Sequence, residues 1–398
     1  MAHPWPSTTA EQAASIVVLA LAVVSLVAIG VGGFMKAAPP GDDFWVFYQA
    51  GSLFRSGVDP WLALMTTPQP FSYPPHALSF LLFYDVLPPT TAFVVHSGVN
   101  VGAIAAICYC ANHWFLGIRS WRSLTFPQAA ALALIIGNPY TATSVYQGQT
   151  TLPVTAALML SWLCITKGHR TAAGLLLAVA TVKPQLSLLY VLWLMMSAQL
   201  TVLIVAGLAA IVLIVPAFLV LGPWATVHSW WLSLSSYGHV PINMPGSPYV
   251  VGLESLLVAH GFDPGAWPIA ALGLLLTMAV FCLRQRLDAF MTLQFLLVLT
   301  CTFLFVHDYD YVAIILVWSC ALHLVLSQMT WGRIASFSVL FLLFFMPQRL
   351  IRDIDLPLIV HARTLILVAM FVLLLTWRSQ QPRSGTAGWL RRDVRTPI

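Results

Sequence analysis

Charge is what this 398-residue chain has least of. It carries 18 Lys and Arg and 13 Asp and Glu, 8% of its residues, against roughly 25% in an ordinary soluble domain. With 59% hydrophobic residues it has too little polar surface to cover a water-soluble globule, so the composition excludes a soluble enzyme and implies a polytopic membrane protein. Alternating apolar and polar residues are missing from the long apolar runs, which excludes a β-barrel and leaves helices. No Walker A loop, dinucleotide glycine fingerprint, zinc-ligand spacing or serine elbow is present. Any activated donor used by such a chain would have to come from within or beside the membrane. The first apolar run, about Ala14 to Met35, has no basic n-region and no small-residue cleavage site, so a retained helix is expected there. None of the six cysteines lies in a long polar loop, and no structural disulfide is expected.

The expected fold class is all-α, with about twelve transmembrane helices. They start near residues 14, 90, 126, 150, 171, 185, 199, 266, 288, 310, 333 and 362. The two starting near 171 and 185 meet at Lys183-Pro184 and read as one broken pair. Residues 1–378 form a single membrane domain, and 379–398 a polar, basic tail. With the N-terminus in the cytoplasm, most basic residues, among them Arg119, Arg122, Lys167, Arg170, Arg284 and Arg378, fall inside, as the positive-inside rule requires. This topology accounts for the net charge of +5 without a nucleic-acid partner. Most acids fall on the outside. Acids contribute little to topology, so their excess points to function on the outer face, where the larger loops span about 37–75 and 223–265.

The first of these loops opens with Gly41-Asp42-Asp43-Phe44-Trp45-Val46-Phe47-Tyr48. Two adjacent carboxylates at a bilayer boundary are costly without a use. One of them suffices to cap the helix that the following apolar spacing predicts. This helix is expected to lie at the interface, aromatic side in the headgroups and Arg55 toward water. Tyr73-Pro74-Pro75-His76 then makes a stiff, extended approach to the next membrane segment, with Trp61 and Tyr73 suited to the interface. A short turn bounded by Asn138-Pro139-Tyr140 and Tyr146-Gln147-Gly148-Gln149 offers amides that suit sugar hydroxyls. His307-Asp308-Tyr309-Asp310-Tyr311 places three titratable groups at a bilayer edge, able to orient a phosphate, bind a hydroxyl or assist proton transfer. Outer cations are few, and a lipid phosphate bound there would need one: Lys183, Arg349, Arg352 and Arg363 are the candidates. Tyr48, Tyr73, His76, Gln147, Gln149 and Asp308 are further candidate substrate-binding residues, and Asp42, Asp43 and His307 are the candidate catalytic ones. No metal or other cofactor is expected.

Read together, Asp43-Phe44 with Phe47-Tyr48 and Ala50-Gly51, Gly57 with Asp59-Pro60-Trp61, Tyr73-Pro74-Pro75, Gly148-Gln149, Lys183-Pro184 and His307-Asp308 resemble the family 87 glycosyltransferases of the membrane GT-C superfamily. That group includes polyprenol-phosphate-mannose-dependent mannosyltransferases. The resemblance implies a polyprenyl-phosphate sugar donor, a lipid or glycan acceptor, and a site on the extracytoplasmic face of a bacterial plasma membrane. It also implies Asp43 as general base with His307 as its partner. Asp42 stands beside Asp43, so either could be the base, and Trp61 stands where tyrosine is commoner in that family. The competing class is a transporter or flippase of lipid-linked sugars, which would carry mid-span charges and related halves.

Overall fold

The computed structural model describes residues 9–36, 41–346, 359 and 361–380. The chain opens with α1 (Thr9–Lys36) and then folds a helical connecting segment of α2 (Asp42–Arg55), α3 (Pro60–Leu64) and α4 (Pro75–Asp85). Next come α5 (Pro89–Ala111), α6 (Phe126–Gly137), α7 (Pro139–Gln147) and α8 (Thr151–Thr166). They are followed by α9 (Arg170–Ala180), α10 (Pro184–Met196) and α11 (Leu200–Leu221). The second long connection carries α12 (Pro223–Tyr237) and α13 (Leu253–Ala259). The described part ends with α14 (Ala266–Cys282), α15 (Ala289–Phe303), α16 (Ile315–Ser327), α17 (Trp331–Phe344) and α18 (Arg363–Ser379). Proline opens α3, α4, α5, α7, α10 and α12, where its missing N–H costs nothing and its fixed φ suits the first helical turn.

Among the described residues, four segments are long and apolar enough to cross a bilayer singly: Thr9–Gly32, Pro89–Leu116, Leu200–Leu221 and Asp308–Ser327. A further crossing is bent by 117° where Phe126–Gln147 meets Thr151–Thr166. The other apolar helices are shorter, so an apolar stretch that looks continuous in the sequence becomes two pieces around a break. Such breaks are tolerated at membrane depth only where protein or a cavity receives the freed backbone groups. Here they do more than that. The break after α7 carries Gly148 and Gln149, and the break between α9 and α10 carries Lys183.

Burial separates the helices into a lipid-facing ring and a centre. The spanning windows of α1 and α11 are only 17% buried, whereas that of Asp308–Ser327 is 78% buried. Val312 through Trp318 are completely enclosed. The His307–Tyr311 constellation therefore sits at the mouth of the central helix, packed by α7, α8 and α15. A two-residue antiparallel ladder, β1 (Val250–Val251) with β2 (Val306–His307), pairs Val250 with His307 and pins this mouth to the second long connection.

The first connecting segment has its own core. Phe44, Phe47, Phe54, Trp61, Phe71 and Phe93 are buried against one another and against α4. This corrects the expectation of an aromatic face in the headgroups: α2 turns that face inward. Trp61 is fully enclosed, not at an interface, and its indole N–H donates to the Tyr73 carbonyl at 2.9 Å. Arg55 is half exposed but pairs with Asp85 at 2.6 Å. A second aromatic layer so close to a membrane mouth needs protein, not lipid, on its other side, and α4 and α5 provide it.

Candidate active site

A cavity of about 600 Å³ opens where the first and second connections meet the breaks in the helices. Asp42, Asp43, Tyr73, Gln147, Gln149, Lys183, His307 and Asp308 all line it. These residues come from five places in the chain, and none of those places is close to all the others in sequence.

Asp43 occupies the first turn of α2, but neither it nor Asp42 caps the helix; the cap position is Gly41, with φ 70° and no side-chain cap bond. The Asp43 carboxylate is thus left for the cavity. It is half-buried, while Asp42 is exposed. The Gln149 amide donates to Asp43 Oδ2. Burial is the main cause that lifts the Asp43 carboxyl to about 6; the Gln149 bond and the Lys183 charge oppose it, and Asp42 and Asp310 add to it.

Two glycines make this contact possible. A Cβ on Gly41 would lie 2.5 Å from Phe93 Cε2, and one on Gly148 would lie 2.6 Å from Phe44 Cβ and 3.0 Å from Phe93 Cε2. Both residues are left-handed, Gly148 at φ 67° as the C-cap of α7. The chain entering α2 and the chain leaving α7 can therefore close on the same Phe93 ring. Behind them the buried His96 holds the Gln149 carbonyl at 3.3 Å through Nε2 and the Tyr84 hydroxyl at 3.0 Å through Nδ1.

On the opposite wall, His307 Nε2 lies 3.0 Å from the Tyr237 hydroxyl. Its ring stacks on Tyr309 with centroids 5.2 Å apart. Burial, partly offset by Asp310, lowers the imidazole to about 4, so it is neutral at physiological pH. Burial also pushes the Tyr237 and Tyr73 phenols up. Lys183, 3% exposed, forms an ion pair with Asp310 at 2.8 Å, donates to Thr151 Oγ1 at 2.5 Å, and lies 4.7 Å from the centre of the Tyr309 ring.

Several expected residues are placed elsewhere. Tyr48 donates to the Leu87 carbonyl at 3.0 Å and does not reach the cavity. His76 is buried beside Thr181, 3.2 Å from its hydroxyl, and also stays outside. Asp308 does not pair with His307; its backbone N–H donates to the Tyr249 carbonyl at 3.0 Å. Arg349 and Arg352 lie outside the described residues, as does the tail from 381 onward. Sequence reading missed Tyr237, Tyr309, Thr151 and His96. Tyr309 sits inside a motif already suspect. Tyr237 and Thr151 have no local signature, because only the folding of distant segments brings them to the site.

No curated protein matches the chain. The family model of glycosyltransferase family 87 matches residues 71–307, a stretch that ends at His307 and does not include Asp42 and Asp43. That stretch covers more than half of the chain and contributes most of the cavity wall, and so the chain belongs to glycosyltransferase family 87.

Proposed function

We propose that this membrane glycosyltransferase moves a hexose, mannose foremost, from a polyprenyl-phosphate donor to a hydroxyl of a lipid or glycan acceptor. The transfer takes place on the extracytoplasmic face of a bacterial plasma membrane, with both termini cytoplasmic. The observation that carries this reading is the Asp43 carboxylate. It stands on the cavity wall, uncommitted to its helix, tuned to about 6, and faces a wall that bears a lysine.

The chemistry follows from that pairing. Asp43 takes the proton of the acceptor hydroxyl, and the oxygen attacks the anomeric carbon from the face opposite the phosphate. The bond from that carbon to the phosphate oxygen breaks, the configuration inverts, and the lipid phosphate leaves as an anion toward the Lys183 ammonium. A phosphate is already an acidic leaving group, so one carboxylate does what glycosidases divide between two. A carboxyl near 6 is a stronger base than an ordinary aspartate yet still ionised at neutral pH. The Gln147 and Gln149 side-chain carbonyls are buried without a donor among the described residues, and a polyhydroxyl ligand would supply one to each. Sidedness is supported by α1. Its N-terminal residues bond the basic Arg122–Phe126 stretch, with Gln12 donating to the Arg122 carbonyl at 3.3 Å and Glu11 accepting from the Phe126 N–H at 3.2 Å. Its C-terminal end leads to the cavity.

The test is transfer by purified protein in nanodiscs, given polyprenyl-phosphate-mannose and a membrane lipid extract, beside Asp43→Asn. Removing a general base should cost on the order of 10² to 10⁴ in rate. Equal product from both proteins would sink the base assignment. Silence of the wild type toward a panel of polyprenyl-phosphate hexoses would sink the donor class.

A further inference from the structure

Asp310 does not line the cavity, yet it is completely buried and touches the residues that do. Its Oδ1 accepts from Lys183 Nζ at 2.8 Å and from Thr151 Oγ1 at 2.7 Å. Its Oδ2 accepts from the backbone N–H of His307 at 3.1 Å. Thr151, having given its proton to Asp310, accepts a second N–H from Lys183 at 2.5 Å. The bonds among Lys183, Thr151 and Asp310 close a triangle between the starts of α8 and α10 and the turn after β2. An ammonium has three N–H groups. Two are spent in this triangle, and the Tyr309 ring stands beside the ammonium at 4.7 Å.

We propose that Asp310 is the positioning residue of this site: it fixes Lys183 and His307 in place and tempers the charge that Lys183 shows to the cavity. The inference rests on the phosphate-donor reading above. An unpaired lysine in so dry a wall would hold an anionic product as firmly as the transition state. Paired with a buried carboxylate, it offers a leaving phosphate one directed N–H and a reduced field, so the lipid phosphate can depart. Asp310 does this through Lys183 and touches no substrate itself.

The experiment compares wild type, Asp310→Asn, Lys183→Met and the double variant, each full-length in nanodiscs. It measures transfer from a polyprenyl-phosphate hexose and inhibition by a short-chain prenyl phosphate. Asp310→Asn should lower kcat on the order of 100-fold, the loss that follows from a misplaced reacting group. Inhibition by the prenyl phosphate should tighten, because Lys183 then lacks its counter-ion. A merely structural role would weaken inhibition instead. The double variant removes both charges and leaves no unpaired ion to disrupt folding; its loss should fall far short of the product of the single losses. Multiplying losses, looser inhibition or wild-type kcat in Asp310→Asn would overturn the inference while leaving the transfer reaction intact. If the wild type transfers nothing from any such donor, the functional reading fails, and this inference with it.

Discussion

Gln149 donates its amide N–H to the Asp43 carboxylate across 106 positions of sequence. The bond joins the first connecting segment to the break after α7, and it is the main polar contact opposing the upward pull of burial on Asp43. Replacing the amide by an apolar group of similar size, Gln149→Leu, removes a donor to the ionised form. The acid limb of the rate profile should then move to higher pH, with a lower rate at neutrality and a recovery in alkaline buffer. A rate lowered equally at every pH would show that Gln149 acts on something other than the proton.

In the wild type the same carboxyl sets the pH dependence. With Asp43 near 6, the ionised base is lost as pH falls through that value, so transfer should rise with pH and pass its midpoint near 6. His307, lowered to about 4, is already neutral across this range and adds no second limb above about pH 5. A profile flat from pH 5 to 8 would contradict the assignment.

The tuned carboxyl carries a cost in stability, and its sign is definite. Folding raises the Asp43 carboxyl from 3.8 to about 6, so the folded state binds the proton more tightly than the unfolded one. That contribution is complete below about pH 4 and is lost as pH rises through 6. Asp43→Asn should therefore unfold at a higher temperature than wild type above pH 6, with the advantage fading in acid. The variant would be inactive and more stable, the opposite of what a damaged core produces. A lower unfolding temperature at pH 7 would contradict this.

Gly148→Ala tests the close approach behind Asp43. The left-handed backbone costs a residue with a Cβ roughly 1–2 kcal/mol, and here the Cβ would also lie 2.6 Å from Phe44 Cβ. Gly57 supplies the control, since at φ 75° it has nothing within 4 Å of the Cβ position. Gly57→Ala should show the backbone cost alone and keep its transfer activity. Gly148→Ala should lose more stability and, by shifting α2, most of its activity. Equal behaviour of the two would mean that the Phe44–Phe93 contact does not position the base.

Much of the site was legible in the sequence because membranes make charge expensive. Asp42, Asp43, Lys183, His307 and Asp308 stood out as polar residues at the ends of apolar runs, and all five line one cavity. The amides of Gln147 and Gln149 were legible for another reason, their paired donors and acceptors. Tyr48 and His76 were read from the same neighbourhoods but face protein, because the direction of a side chain on a short helix depends on what packs against it. Asp310 was visible in its motif but not as the partner of Lys183, since 127 residues separate them.

Composition and the order of apolar runs were enough to determine a helical membrane protein, because so few charges and so much apolar surface have no other stable solution. Motif order was enough to suggest the family. Only the tertiary structure decided where the long apolar runs break, that the first connection folds inward on a core of its own, and which charges meet. Those outcomes depend on close packing between segments far apart in the chain, such as Gly41 and Gly148 against the same edge of Phe93. Such packing is a property of shapes in contact, and a linear pattern of hydrophobicity carries no record of it.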